Sequence, residues 1–430
     1  MSSPSASTFS LLPASATPDA RRLVAARAMR GFADGAVSVL LASHLSAIGM
    51  SPFRIGAIVT GTLVGSAALT LSFGVFGQRY SRRHVLLASS AMMFLTGLGF
   101  LGITDFWPLL VVAVAGTLNP SSGDVSLFLP TEQAVLTETV AAGDRTAMFA
   151  RYNLAGNFAG AFGALLAGAP GAVARKYGYD QGLALRSGFA LYALVALLVG
   201  AIYWSISPAV EPPEAAKPAA DPGAKADAAP RAPPLARSRN VVLKLAALFS
   251  IDSLGGGFVV QSMLALWLFR RFELPIATAG AVFFAASLFA AFSQLVSVWL
   301  SKKIGLINTM VFTHLPSNVF LILAALMPTA PLAITFLLLR MCLSQMDVPA
   351  RQSYVMSVVP PEERAAAASV TNVPRSLASA TTPLLAGAML GATPFGWPLI
   401  CGGLAKIIYD LLLLREFRAL KPPEEKDAKP

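Results

Sequence analysis

Long apolar runs, separated by short polar connections, dominate the pattern along the chain. A run of about 20 apolar residues forms a helix that spans the roughly 30 Å hydrocarbon core of a bilayer. Six such runs precede residue 208 and six follow residue 240. They lie near residues 24–47, 54–77, 84–103, 108–129, 146–169, 187–207, 243–268, 275–299, 304–327, 330–357, 366–390 and 395–415. The pattern predicts an all-α integral membrane protein with twelve transmembrane helices.

Three segments fall outside the apolar runs. The segment 208–240 contains EPPEAAKPAADPGAKADAAPRAPP, whose proline, alanine and charge content buries too little apolar surface to fold. We therefore expect a disordered linker there, between six-helix bundles at 24–207 and 241–415. A disordered tail is expected at 1–23, which lacks the apolar core of a signal peptide, and a charged tail at 416–430.

Composition and charge support a membrane protein and predict its orientation. The chain is 55% hydrophobic and 13% charged, and its mean hydropathy is +0.64. The formal net charge of +11 comes from basic residues at the ends of apolar runs and in short loops, which argues against a nucleic-acid partner. Arginine and lysine collect in alternate loops, and such loops face the cytoplasm. We expect a multi-pass protein of a bacterial-type inner membrane, with both termini and the linker cytoplasmic.

An internal repeat relates the two sets of runs. Shifting the chain by 219 positions aligns residues 130–168 with 349–387 without a gap, and 12 of the 39 aligned positions are identical. The informative matches are Pro130 with Pro349, Gln133 with Gln352, Arg145 with Arg364, and Asn153 with Asn372. At nearly the same offset, Asp34 matches Asp252. Two pseudo-symmetric halves of this kind hold a solute site near the bilayer midplane, at the interface between them.

The connection between the second and third runs, GVFGQRYSRR, resembles a loop motif of the major facilitator superfamily. Gly74 and the basic residues Arg79, Arg82 and Arg83 match the motif, whereas its aspartate is replaced by Gln78 and its second glycine by serine. Together with the twelve runs and the duplication, this resemblance implies two six-helix bundles and solute transport by alternating access. It also implies that the five named residues form a cytoplasmic gate motif.

Gln78 affects the strength of that gate. The family's aspartate meets the N-terminus of helix 11, where a negative charge is worth about 0.3 to 1 kcal/mol. Gln78 lacks this charge, so we expect a weaker latch. Acidic residues of the connection between helices 4 and 5, which are Glu132, Glu138 and Asp144, are expected to pair with the arginines instead.

Four ionisable residues lie near the middle of predicted spans: Asp34, Asp252, Arg340 and Arg375. A charge at the bilayer centre costs at least about 2.5 to 3.5 kcal/mol and is retained mainly where it has a function or a partner. One interpretation is a central cavity in which the arginines bind an anionic or polar solute group and one carboxylate takes up a proton. The alternative is that the four neutralise one another, or that Arg30 and Asp34 pair locally.

Other polar residues have less specific interpretations. Asn153, Asn157, Gln261 and Asn372 line the cavity or tie helices together. Asp347 with Arg351, and Lys406 with Asp410, have the four-residue spacing of local helix pairs, and we interpret them so. His314 is interpreted as a hydrogen-bonded packing residue.

Glycine and proline mark special points within three runs. Pro120 predicts a break in helix 4, and Gly255–Gly257 predict a loosened helix 7, for gating or close packing. Gly156, Gly160 and Gly163 leave one face of helix 5 bare, so that another helix approaches closely. That helix lacks the proline of the family's antiporter signature, which argues against a drug/proton antiporter.

The sequence therefore predicts a proton-coupled secondary transporter of a small organic solute rather than an enzyme. Motifs of metalloprotease, phosphate-binding or serine-hydrolase type do not occur in the sequence. The expected partners are a small-molecule solute, the lipid bilayer and protons, and we expect a monomer without cofactor or metal. A membrane-embedded enzyme and a solute-sensing receptor on the same fold are the alternatives.

Overall fold

The fold is described from a computed structural model, which covers residues 12–13, 15–76, 81–120, 128–141, 144–211, 238–360 and 363–418. Regular structure within these residues is helical throughout. The first eight α-helices are α1 (Pro18–Ala47), α2 (Pro52–Phe76), α3 (Arg82–Gly102), α4 (Phe106–Ala115), α5 (Phe128–Glu138), α6 (Arg145–Leu166), α7 (Ala169–Tyr177) and α8 (Gln181–Trp204). The next eight are α9 (Arg239–Gly257), α10 (Gln261–Phe272), α11 (Ile276–Ile304), α12 (Leu306–Leu326), α13 (Ala330–Ser344), α14 (Asp347–Val358), α15 (Arg364–Ala392) and α16 (Trp397–Phe417).

Nine helical segments of the described residues are long and apolar enough to cross a membrane. Helices α1, of 30 residues, and α15, of 29, also have the length to cross, but they carry more polar side chains. In α1 the charged residues Arg30 and Asp34 are buried against other helices, which shelters them from lipid. The prediction of an all-α integral membrane protein is confirmed, and the count of twelve spans stays a prediction.

Several predicted runs are each built from two helices. Helix α4 ends at Ala115 and is followed by the non-helical residues 116–120, before α5 begins at Phe128. Helices α9 and α10 are separated by 258–260, and α13 and α14 by 345–346. The first interruption confirms the break predicted from Pro120. The second directly follows the three glycines that end α9, where the sequence predicts a loosened helix. Each interruption frees backbone groups near the middle of a run, which is tolerated where they face protein or water instead of lipid.

The glycine face predicted on helix 5 packs against α1. A Cβ atom added to Gly163 would overlap the Phe32 carbonyl oxygen, and one added to Gly35 of α1 would overlap the Gly160 carbonyl oxygen. The backbones of α1 and α6 are therefore in direct contact, as expected for membrane helices that meet through small residues. This confirms the close approach predicted from Gly156, Gly160 and Gly163.

Helices α1–α8 pack mainly among themselves, as do α9–α16, and the two groups meet along three seams. We call the end where α1 and α3 begin the Arg82 side, and the end where α2 and α4 begin the Trp107 side. The seams are formed by α2 with α15, α6 with α11, and α1 with α10.

The seams lie between the middle of the bundle and the Trp107 side. The backbone N–H of Leu384 donates to Thr60 Oγ1 at 3.0 Å, and the rings of Phe162 and Phe284 are 5.2 Å apart. Near the middle, the Ser262 N–H donates to the Pro120 carbonyl oxygen at 3.2 Å. The two groups of helices are thus held together mainly over the half of the bundle remote from Arg82.

Two segment boundaries differ from the sequence-based expectation. Helix α1 begins at Pro18, inside the expected tail 1–23, because Thr17 caps it by accepting from the Ala20 N–H at 3.3 Å. A 3₁₀ helix at Pro208–Val210 and the following Glu211 are ordered against other helices, inside the expected linker. Residues 212–237 and 419–430 lie outside the described residues.

Candidate functional site

Asp252 is the centre of a buried charge cluster in the second group of helices. The side chain lies in α9, five residues before the α9–α10 break, and is 5% exposed. Its Oδ1 atom accepts from Lys406 Nζ of α16 at 2.6 Å, and its Oδ2 atom accepts from Arg351 Nη1 of α14 at 3.1 Å. Two cations from two further helices thus hold one carboxylate.

His314 extends the cluster from α12. Its Nδ1 atom lies 2.9 Å from Asp410 Oδ1, and its Nε2 atom lies 3.7 Å from Asp252 Oδ1. The side-chain amide of Asn318 donates to Asp410 Oδ2 at 3.1 Å. His314 therefore lies between two carboxylates, and Asp410 and Asn318 fix the orientation of its ring.

Two expected local pairs are part of this cluster. Arg351 does contact Asp347 at 3.2 Å, but it also bridges to Asp252. The interpretation of Lys406 and Asp410 as a local pair was wrong, because Lys406 binds Asp252 while Asp410 binds His314. The pair of Asp347 and Arg351 is confirmed, with Asp252 as a further partner. Lys406 and Asp410 differ because helices in close tertiary contact offer each of them a nearer partner than the next turn of α16 does.

Arg340 and Arg375 lie near the cluster without joining its ion pairs. Arg340 of α13 donates to the Met341 sulfur at 3.3 Å, and its Nε atom has no hydrogen-bond partner within the described residues. Arg375 of α15 donates to Ser253 Oγ at 3.1 Å and to Asn372 Oδ1 at 3.3 Å, both neutral groups. Both guanidinium groups interact electrostatically with Asp252, and neither has a carboxylate at ion-pair distance in the part of the chain that is described.

A second buried cluster lies in the first group of helices. Arg30 of α1 forms an ion pair with Glu132 of α5, and both are almost fully buried. Tyr203 donates its hydroxyl to Glu132 Oε1 at 2.6 Å, Tyr152 donates to Oε2, and the Arg30 guanidinium stacks 4.1 Å above the Phe128 ring. Three donors, from α1, α6 and α8, thus hold the Glu132 carboxylate.

Asp34 borders the cluster around Glu132. It is buried one turn after Arg30, and it interacts with Arg30 and with the Tyr192 hydroxyl. Because Arg30 takes Glu132 as its ion-pair partner, Asp34 is not the sole counter-charge of Arg30. The structure therefore brings Asp252, Arg340, Arg375 and Asn372 together and gives Asp34 a setting in the other group of helices.

The remaining predicted polar residues are more scattered. Asn153 is half-buried on α6 and Asn157 is exposed on the same helix. Gln261 is the first residue of α10, directly after the break that follows Asp252. Their assignment to a solute cavity stays a prediction.

The described part of the gate motif is anchored to its own group of helices. Arg82 forms an ion pair with Glu138 of α5 at 2.6 Å, as expected for that acid. The Glu211 carboxylate accepts from the Ser81 hydroxyl at 2.5 Å and from the Arg82 and Arg83 backbone N–H groups at 2.8 and 3.0 Å. Glu211 therefore supplies the negative charge at the start of α3.

The protonation of Glu211 reflects this capping. Burial acts to raise the pKa of Glu211, but hydrogen bonds from the Ser81 hydroxyl and the two backbone N–H groups outweigh it, and the pKa lies below its ordinary value of 4.5. Arg83 contacts the end of α8, where it stacks 4.9 Å above the Trp204 ring. Gln78 and Arg79 lie outside the described residues, and Gly74 falls near the end of α2.

Two other acids of the predicted gate have different partners. Glu132 belongs to the buried cluster and not to the arginines of the loop. Asp144, at the start of α6, accepts from the Ser15 hydroxyl at 2.5 Å. Its counterpart in the internal repeat, Glu363 at the start of α15, accepts from Ser238, which precedes α9. A serine before the first helix of each group therefore binds the acid that begins a later helix.

Sequence reasoning missed Glu132, His314 and Lys406 as members of buried clusters. A signal existed for Glu132, because the internal repeat aligns it with Arg351 in the otherwise similar segments PTEQ and PARQ. No comparable signal pointed to Lys406, whose partner is 154 residues away.

Comparison with known proteins identifies the family. The Major Facilitator Superfamily matches residues 23–383, and a second match covers 255–430. An uncharacterized membrane protein of Saccharomyces cerevisiae is 26% identical over 422 residues, which are 93% of this chain and 94% of that protein.

Solved structures agree with this result. A mutant of the nucleoside transporter NupG has a TM-score of 0.70 at 13% identity, covering 93% of this chain and all of that one. A bacterial homologue of the iron transporter ferroportin, in an inward-facing state, has a TM-score of 0.68 at 16% identity, covering 92% and 98%. At these identities the likeness shows the fold, which is that of a helical membrane transporter. The chain belongs to the Major Facilitator Superfamily.

Proposed function

We propose that this protein is a secondary transporter that moves a small organic anion by alternating access, with the solute site beside the Asp252 cluster. The observation that carries the proposal is the charge environment of Arg340 and Arg375. Both are cations near the middle of the bundle, and neither has a carboxylate at ion-pair distance among the described residues. An anionic group of a solute supplies the missing counter-charge, and arginine presents a planar set of donors suited to a carboxylate or phosphate.

The clusters provide the fixed frame of this site. The ion pair between Arg30 and Glu132 is almost fully buried and is joined by two tyrosine hydroxyls, so it holds helices together. In the second group, Asp252 is contacted by Lys406, Arg351 and His314. Arg340 interacts electrostatically with the same aspartate. The second group of helices therefore carries the groups that respond to a solute.

The arrangement of the seams supports alternating access. The two groups of helices meet over the Trp107 half of the bundle, and Arg82 has its partners within its own group. With the positive-inside rule, the Arg82 side is the cytoplasmic side, and both termini and the linker belong there. The conformation is then inward-facing, the state recorded for one structural relative. A bacterial-type inner membrane and a monomer are parts of the same proposal.

A paired ligand screen tests the solute class. The purified full-length protein is screened by thermal shift with small carboxylates and with the neutral amide of each, because a ligand of the native state raises the apparent melting temperature. We expect carboxylates to stabilise the protein and their amides to have no effect. Arg340→Ala is expected to abolish the shift, while Arg270→Ala, at an exposed arginine, leaves it intact. Equal shifts by acids and amides would refute the anionic site.

Transport itself separates the proposal from the enzyme and receptor alternatives. Proteoliposomes loaded with the stabilising carboxylate are expected to exchange it with labelled external carboxylate. A receptor binds without exchange, and an enzyme converts the compound without accumulating it. Binding with no counterflow would therefore exclude a transporter while leaving the binding site in place.

A further inference from the structure

Lys406 and His314 face the same oxygen atom of Asp252. Lys406 Nζ lies 2.6 Å from Oδ1, and His314 Nε2 lies 3.7 Å from that atom, whereas Arg351 binds the other oxygen, Oδ2. All three side chains come from different helices, α16, α12 and α14. Two nitrogen atoms on separate helices therefore approach one oxygen atom, and the lysine nitrogen is the closer.

The contacts of Nδ1 assign the proton of the neutral imidazole. With Asp410 ionised, the 2.9 Å contact between Nδ1 and Oδ1 of Asp410 places the proton on Nδ1. The side-chain amide of Asn318, 3.2 Å from Nδ1, then donates to Oδ2 of Asp410 at 3.1 Å instead. A neutral ring then presents the lone pair of Nε2 to Asp252. That contact becomes favourable only when Nε2 also carries a proton, since the imidazolium donates from both nitrogens.

We propose that His314 is the proton-carrying residue of the transport cycle, and that its proton and the Lys406 ammonium alternate on Oδ1 of Asp252. When Lys406 leaves Oδ1, the Nε2 lone pair accepts a proton from water and the imidazolium donates to Asp252 and Asp410. When Lys406 returns, the proton passes from Nε2 back to water. One proton is gained and lost per exchange, and no other bond is made or broken.

This inference rests on the proposed function for its link to transport. Arg340 and Lys406 both interact with Asp252, so a solute carboxylate bound at Arg340 competes with Asp252 for Lys406. The binding energy of the solute is what draws the lysine from Asp252. The solute and the proton are then held in the same state of the protein. The two are therefore carried in the same direction, which makes the transporter a symporter.

The surroundings of His314 are compatible with a change of one charge. The titratable or charged groups of the elements around it are Asp410, Lys406 and Tyr409 of α16, Asp252 of α9, Asp347 and Arg351 of α14, and Arg340 of α13. Three carboxylates face three cations, of which Lys406 and Arg351 are ion-paired. When Lys406 leaves Oδ1 of Asp252, an imidazolium at His314 replaces the positive charge that this oxygen has lost.

His44 offers an internal comparison. It is also buried, in the last turn of α1, where its ring packs 4.7 Å from that of Phe189. With His84, the chain has three histidines in all. Ring signals of the whole protein are therefore few enough to assign, one by one, from His44→Gln, His84→Gln and His314→Gln.

The test is a titration of ring-labelled histidine in the full-length protein by ¹³C and ¹⁵N NMR, from about pH 5 to about pH 9. Lys406→Met imitates the departed lysine and vacates Oδ1. Arg351→Met is the matched control, because it removes one positive charge from the same carboxylate but leaves Oδ1 occupied by Lys406. Asp252→Asn removes the shared acceptor.

We expect Lys406→Met to move the titration midpoint of His314 upward by about one pH unit, which is about tenfold more protonation at a given pH. Arg351→Met is expected to move it less, and Asp252→Asn to move it downward, while His44 stays unchanged in each. An unmoved midpoint in Lys406→Met, or an equal shift in Arg351→Met, would overturn the inference. Because the titration requires no transport, this result is independent of whether counterflow is found.

Discussion

Glu132 of α5 and Arg351 of α14 hold aligned positions of the internal repeat but carry opposite charges. Each is buried and forms an ion pair with the first helix of its own group, Glu132 with Arg30 and Arg351 with Asp252. The duplicated halves thus bury the same kind of contact with its polarity reversed. Replacing either member of such a pair is strongly destabilising, because its partner is left as an uncompensated buried charge.

The first prediction concerns Glu132. Glu132→Gln is expected to destabilise the protein by about 3 to 5 kcal/mol, the cost of leaving the buried Arg30 guanidinium without its ion-pair partner. Glu138→Gln, in the same helix, is the control: its partner Arg82 and Glu138 itself are partly exposed, so we expect about 1 kcal/mol or less. Apparent melting temperatures in detergent check both. Equal losses would show that burial of the Arg30 pair carries no extra cost.

The second prediction separates a functional arginine from a structural one. Arg340 has no ion-pair partner in the described residues, so Arg340→Gln is expected to raise the apparent melting temperature of the solute-free protein, by about 2 °C or more. Arg351→Gln breaks contacts with two aspartates and is expected to lower it. A fall in both variants would mean that Arg340 has a stabilising role within the protein.

Much of the fold could be predicted because its signals are local. Apolar runs of membrane-spanning length, Pro120 and the glycines at the end of α9 each act on the backbone within a few residues, and the helices and breaks follow them. The bare face of Gly156, Gly160 and Gly163 likewise indicated a close neighbour, although not that the neighbour was α1.

The charge clusters could be predicted only in part. The position of Asp252, Arg340 and Arg375 near the middle of predicted spans identified them as candidate site residues. A charged side chain far from both ends of a span is retained mainly where it has a partner or a function. Their partners are set by tertiary packing: Lys406 and Arg351 reach Asp252 from 154 and 99 residues away. Spacing along a helix shows only neighbours on the same helix, which is why Lys406 and Asp410 were paired incorrectly.

The third prediction concerns the contact between α1 and α6. Gly35→Ala adds a Cβ atom that overlaps the Gly160 carbonyl oxygen, and rigid backbone on both sides leaves no room to adjust. We expect a loss of about 1 to 3 kcal/mol from overpacking. Gly160→Ala is the matched control, since its Cβ would lie 3.2 Å from the Gly31 carbonyl oxygen and needs only a small shift. Equal melting temperatures for the two variants would contradict direct contact at Gly35.

The fourth prediction concerns Glu211 and the start of α3. The carboxylate caps the helix through the Arg82 and Arg83 backbone N–H groups and accepts from Ser81. Glu211→Gln is expected to cost about 1 kcal/mol at neutral pH, the usual effect of losing an N-terminal cap. Asp105→Asn is the control, because Asp105 precedes α4 without a side-chain capping hydrogen bond.

The pH dependence of this effect has a definite sign. Burial raises the pKa of Glu211, but its hydrogen bonds lower it further, so the folded protein holds the carboxylate ionised below the ordinary value of 4.5. A group with a lowered pKa contributes stability above its unfolded value and loses it as the pH falls through the folded value. The difference in melting temperature between the native protein and Glu211→Gln is therefore expected to be constant above about pH 5.5 and to shrink below pH 4.5. A difference that grows on acidification would mean that the cap acts through a protonated Glu211.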